Sequence, residues 1–200
     1  SEKLFLLPAD FMKERWTGRR TKADEAHELS GINDIAYTPD FEEYFGKAVS
    51  ECENICLDID DTREERDYTE AHRFARRMKE EYPAKKIVNI RPALAEIRTI
   101  KADCEIDAMR EAVRITGEGI KAMMHGVRDG MKEYEIKGLY DSALLANGCL
   151  EPAFPSIISA GQNNFCIHYY SYSGTAHTGD MVLCDVGACY DFIGCDISRG

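Results

Sequence analysis

The sequence predicts an α/β domain followed by a second domain that runs α first and β afterwards. Up to about residue 90, short apolar runs alternate with stretches of helical periodicity, the order of an α/β layer. From Asp103 to Asn147 two helical patterns follow one another, and from Ala153 the chain turns to short strand-like runs. Between the two patterns, residues 91 to 101 carry one proline and then charges, so the expected domains are 1–95 and 96–200.

Lys3 to Leu7 is the first predicted strand, and Thr21 caps a short helix that stops at Ser30-Gly31. Ile35 to Tyr37 is the second strand. Thr38 followed by Pro39 starts a helix with Phe41, Tyr44, Phe45 and Ala48 on one face. Asn54 to Ile59 is the third strand. Asp67 with Glu70 fits a capping box for a helix whose stripe is Ala71, Phe74, Ala75, Met78 and Tyr82, ended by Pro83. Lys86 to Ile90 is the fourth strand, and Arg91 to Lys101 reads as a connector. Asp103 then caps a long helix, with Glu105 and Asp107 in its positive first turn. Its expected buried stripe is Ile106, Met109, Val113, Thr116, Ile120 and Met123, the methionines filling gaps, and Gly126 ends it. Lys132 to Asn147 buries Ile136, Leu139, Tyr140, Ala143 and Leu144, and Gly148 closes it. The runs FPSIISAG and FCIHYY are expected strands, followed by Met181–Cys189 and Gly194–Arg199 on either side of a Tyr-Asp turn.

Thirty-six acidic against 25 basic residues leave a formal charge of -11, which argues against a nucleic-acid or anionic-membrane surface. No apolar run reaches the roughly 18 residues of a membrane span, and no signal-like segment opens the chain. The eight cysteines form no Cys-x-x-Cys pair and several sit among apolar residues, the pattern of free thiols in a reducing, cytoplasmic setting. Zinc ligation by Cys52 and Cys56 lacks a second pair. Asp58, Asp60 and Asp61 suggest a calcium loop, but Arg63 and Thr69 stand where that loop requires glycine and glutamate, so an acidic turn is expected.

Asp185 and Asp196 each interrupt an apolar run, where an unpaired carboxylate is costly. A hairpin turning at Tyr190-Asp191 would set them opposite each other, and divalent cations between them would keep both ionised. The alternative is one aspartate capping a turn and the other paired with an arginine. His168 in FCIHYY reads, on its own, as a hydrogen-bonded core residue. Trp16 beside Arg19 and Arg20 is either a carboxylate-binding cluster or a solvated loop.

The run from FPSI through HY to LCDVGACYDFIGCDISRG closely resembles the pita-bread metallopeptidases, the family of methionine aminopeptidase, prolidase and aminopeptidase P. EIRTIKADCEIDAMREA is similar to the opening helix of the catalytic domain in the last two, GMKEYEI to the turn before its second helix, and WTGRR to the N-terminal domain of the aminopeptidase P branch. The implied fold is a creatinase-like α/β N-terminal domain followed by the first half of an α+β pita-bread domain. The implied activity is hydrolysis of the peptide bond before proline, with a dipeptidase or a non-catalytic peptidase-like module as alternatives. By position, the resemblance makes Asp185 a ligand of one ion in a dinuclear centre, usually manganese, and Asp196 a bridge between both. It makes His168 the histidine that contacts substrate, Phe154 a pocket wall, and Trp16 a residue that approaches a neighbouring subunit in a homo-oligomer. Cys195 and Ser198 depart from common residues of the pattern without touching its core. The family domain continues with a histidine and two glutamates that complete the site. These 200 residues alone are therefore expected to be inactive and to hold manganese weakly.

Overall fold

The computed structural model describes residues 2–62, 64 and 68–200. Two compact units divide the chain, Ser1–Arg98 and Thr99–Gly200.

In the first unit, β1 (Leu4–Leu6) pairs in parallel with β2 (Ile35–Tyr37), and β3 (Asn54–Leu57) pairs in parallel with β4 (Lys86–Asn89). Parallel pairs need crossovers, and the helices between these strands provide them. Helix α1 (Phe11–Thr17) has no counterpart in the sequence pattern because none of its residues is buried; Asp10 caps it by accepting from the Lys13 amide at 3.1 Å. Helix α2 (Ala23–Ser30) starts after Lys22 rather than after Thr21. Glu25 reaches back to accept from the Lys22 amide at 3.0 Å, and Gly31 ends the helix at φ 71°. A 3₁₀ turn at Thr38–Asp40 leads into α3 (Phe41–Glu51). Before α4 (Glu70–Glu81) the cap is Thr69, whose amide donates to His72 Nδ1 at 3.2 Å; Asp67, the predicted cap, lies outside the described residues. Val49, Ile55 and Met78 form the core of this unit, wrapped by Phe45, Phe74 and Tyr82. Ring contacts at 5.2–5.4 Å run from Phe5 through Phe41 and Phe45 to Phe74, tying strand to helices.

The predicted connector is instead a helix, α5 (Arg91–Thr99). Proline is tolerated in a first helical turn, and Ala93, Leu94, Ala95 and Glu96 behind it are good helix formers.

In the second unit, α6 (Asp103–Gly126) packs on α7 (Glu133–Ala146). Ala102 holds the cap position of α6, one residue before the predicted Asp103. The buried stripe of α6 is rotated from the expected one: Ala108, Ala112, Ile115, Thr116, Gly119 and Met123 face inward, whereas Met109 and Val113 are exposed. Close approach explains the rotation. A Cβ on Gly119 would lie 2.4 Å from the fully buried Tyr140 ring, so the small residues, not the large ones, mark the contact between these helices.

Six short strands and one longer one complete this unit. β5 (Met131–Lys132) pairs with β7 (Thr175–Ala176). β6 (Ile157–Ala160), β8 (Val182–Val186) and β11 (Ile197–Arg199) form an antiparallel sheet in the order β11-β8-β6, and β9 (Cys189–Tyr190) pairs with β10 (Ile193–Gly194). Ile158, Ala160, Cys184 and Val186 turn one face of the sheet into a core shared with Ile115, Met123, Ile136, Tyr140 and Leu144.

Candidate functional site

Alternation along β8 decides where Asp185 points. Cys184 and Val186 on either side of it are buried in the helix-facing core, so Asp185 occupies the opposite face, half-buried. Its cross-strand neighbours there are Ile157 on β6 and Ser198 on β11, and Ser198 Oγ donates to Asp185 Oδ1 at 2.5 Å.

Asp185 and Asp196 are therefore not directly opposite each other. The hairpin turns at Asp191-Phe192, with φ of 45° and 64°, instead of at Tyr190-Asp191. Two left-handed residues suit the two-residue turn that matches strand twist, aspartate adopts that conformation readily, and Phe192 stands at the tip, 97% exposed. Moving the turn by one residue slides the partner strand by two, which preserves its facing. Asp196 precedes β11 and lies two residues before Ser198, outside the paired register of that strand. It is exposed, not buried as the apolar run suggested.

The ladder is interrupted between these two residues. Cys195 donates to the Ala188 carbonyl at 2.9 Å, but the Ala188 amide turns to Thr116 Oγ1 on α6 at 2.9 Å, and Thr116 Oγ1 donates to the Ala112 carbonyl. At the interruption a Cβ on Gly187 would sit 1.7 Å from the Cys195 carbonyl oxygen and 3.0 Å from Phe154 Cε1. The Ala153 amide donates to the Gly187 carbonyl at 2.9 Å, which holds Phe154 beside the aspartate-bearing strands.

His168 is not on a strand. A 3₁₀ segment, Gly161–Phe165, is followed by a turn that carries His168 exposed, its ring stacked on Tyr170 with centroids 6.2 Å apart. Among the described residues, no hydrogen bond joins it to either aspartate. In the first unit Trp16 is 87% exposed. The arginines after it are engaged: Arg19 forms a two-pronged pair with Glu25 at 2.7 Å, and Arg20 donates to the Pro8 carbonyl.

Glu133, at the start of α7, carries a buried polar network, and nothing in the sequence pattern marks it. An acidic residue in a first helical turn ordinarily sits in solvent. Glu133 is fully buried and accepts four hydrogen bonds: from the Ala160 amide (2.8 Å) and Asn163 Nδ2 (2.9 Å) on Oε1, and from Tyr169 Oη and the Gly174 amide (2.7 Å each) on Oε2. Burial by itself raises its pKa, but the donors from Asn163, Tyr169, Ala160 and Gly174 outweigh it and hold the carboxyl below the usual range. A lowered folded value means that ionised Glu133 contributes stability above the unfolded value of about 4.3, and that this contribution is lost as pH falls through the folded value. Denaturant unfolding from pH 7 to pH 3 is expected to show that acid loss in the native sequence. Glu133→Gln is expected to be less stable by about 3 kcal/mol at pH 7 and to lack that component of the acid slope. Equal slopes would show that Glu133 does not titrate in this range.

Among the described residues, no three His, Cys, Asp or Glu side chains gather as a ready metal cage. What the aspartate face offers is carboxylate oxygen without sulfur, because Cys184 and Cys195 are buried. That donor set fits part of a site for a hard divalent cation. No described helix is long and apolar enough to cross a membrane.

Residues 107–200 match metallopeptidase family M24, and residues 1–56 match the aminopeptidase P N-terminal domain. A Xaa-Pro aminopeptidase of Haemophilus influenzae is 27% identical over 98% of this chain and 44% of its own length. A Xaa-Pro dipeptidase of Pyrococcus horikoshii is 27% identical over 63% of this chain and 36% of its own. The solved structure of a Bacillus anthracis protein assigned as an aminopeptidase P superposes with a TM-score of 0.93 at 31% identity, covering 100% of this chain and 48% of that one. The matches thus span 36–48% of the length of these relatives.

Proposed function

We propose, for a chain that joins an aminopeptidase P N-terminal domain to part of an M24 metallopeptidase domain, that the whole protein removes the N-terminal residue from peptides with proline in second position. The observation that supports this reading is that Asp185, paired with Ser198 across β8 and β11, and Asp196, two residues before Ser198, both fall inside the M24 match, with Phe154 against Gly187 between them. Asp185 and Asp196 would hold two divalent ions, manganese in our reading because the family resemblance implies it, and the oxygen donors are compatible with that choice. Such ions, when bound, polarise a carbonyl and activate water at neutral pH. Ser198 orients the Asp185 carboxylate through its hydroxyl, leaving Oδ2 free of that contact. Phe154 supplies an apolar wall for the substrate's proline side. His168, exposed on its turn, contacts the peptide and moves or holds a proton at the scissile bond. The eight unpaired cysteines support a cytoplasmic protein, and the exposed Trp16 ring supports an approach to a second copy in a homo-oligomer.

A dipeptidase is the second reading, favoured by the Pyrococcus relative. Release of the first residue from a Xaa-Pro-Xaa tripeptide by the whole protein supports the aminopeptidase; turnover of Xaa-Pro dipeptides alone overturns it. His168→Ala is expected to lower kcat by about 100-fold with metal content unchanged. Metal stoichiometry measured beside the kinetics checks this, and loss of an ion would mean that His168 is a ligand.

A further inference from the structure

Thirteen residues, 161–173, separate β6 from the approach to β7, and they include His168. One carboxylate grips this segment at its beginning, middle and end. The Ala160 amide just before it, Asn163 and Tyr169 within it, and the Gly174 amide just after it all donate to Glu133. The Glu133 amide returns a bond to the Gly174 carbonyl at 3.2 Å. Gly174 is suited to this contact, since a Cβ there would lie 2.5 Å from Glu133 Oε1 and 2.4 Å from Asn163 Nδ2. Tyr169 Oη is the centre of the web: besides donating to Glu133, it accepts from Asn163 Nδ2 at 3.0 Å and from the Ser173 amide at 3.2 Å. Asn164 ties the segment to the strand region by donating to the Met181 carbonyl at 2.9 Å, directly before β8 and Asp185. Tyr169 is buried while His168 and Tyr170 on either side of it are exposed. Anchoring Tyr169 therefore leaves His168 little freedom to turn inward or drift along the chain.

We propose that Glu133 and Tyr169 are positioning residues: the buried carboxylate, acting through the Tyr169 hydroxyl, sets the place of His168 relative to the strands that carry Asp185 and Asp196. This deepens the proposed function, since it rests on His168 acting on substrate. Four charge-assisted bonds from rigid donors give the segment a defined geometry, which is what a reacting group on a loop otherwise lacks. The device consists of a helix-borne acid and a loop tyrosine, neither of which needs to touch substrate or metal.

Two measurements test it separately. Hydrogen exchange on Tyr169→Phe, which keeps the ring and removes only the hydroxyl, should accelerate amides 160–174 by at least about tenfold while those of α6 stay protected. Unchanged exchange in that segment would overturn the clamp, and it requires no activity. In the whole protein, Tyr169→Phe is expected to lower kcat about tenfold with KM little changed in the native background, and less than twofold in a His168→Ala background, a double-mutant cycle. Equal losses in both backgrounds would overturn the link to His168 even if the clamp stands. Near-native turnover of His168→Ala alone would instead remove the assigned role of His168, and with it the purpose of the clamp.

Discussion

Asp196→Asn in the whole protein is expected to lower turnover by more than the roughly 10–100-fold that loss of an outer-shell partner costs a metal site, and to reduce the bound divalent metal. The cause is charge and not packing. Asp196 is exposed, so an isosteric amide leaves the fold intact, and unfolding should be unaffected within about 0.5 kcal/mol. A neutral amide offers one weaker oxygen where the proposed bridge needs two anionic ones. Kinetics with added manganese, metal content and a denaturation curve on the same preparation check all three expectations. A variant with native metal content and near-native turnover would show that Asp196 does not hold the metal.

Gly187→Ala acts on the same site by the opposite route, through backbone. The added methyl would lie 1.7 Å from the Cys195 carbonyl oxygen and 2.7 Å from its carbonyl carbon, with Phe154 behind it at 3.0 Å. Relief requires strand movement, because two of those contacts are main-chain atoms. The Ala188 amide is held to Thr116 on α6, which leaves the Cys195–Asp196 side to give way. The expected cost is about 3 kcal/mol of stability, the upper end for overpacking, together with about a 100-fold loss of turnover from a displacement of Asp196 near 1 Å. Thermal unfolding and kcat measured together check this. Unchanged stability would mean that the strands separate freely there, which the Thr116 tie argues against.

Periodicity and punctuation made much of the fold legible. Short apolar runs marked β1 to β4, and the 3.6-residue stripe of Phe74, Ala75 and Met78 marked α4 because apolar burial has to repeat with the helix. The compound pattern around Asp185, Gly187 and Asp196 carried the family resemblance, because a site needs those residue types at those spacings wherever it occurs. Tertiary structure decided the rest. The turn settled on Asp191-Phe192, and with it Ser198 instead of Asp196 came opposite Asp185, since a hairpin's register depends on which two residues accept left-handed geometry. The inward face of α6 was chosen by the approach of Tyr140 to Gly119, a contact that a scale of residue hydrophobicity places on the wrong side. His168 lies on a turn instead of its expected strand, and beside it the Tyr169 hydroxyl reaches a buried carboxylate 36 residues earlier. Glu133 itself was invisible: an acid at a helix start reads as solvated until four donors from the β6–β7 segment close over it, and only the folded chain brings those donors to one place.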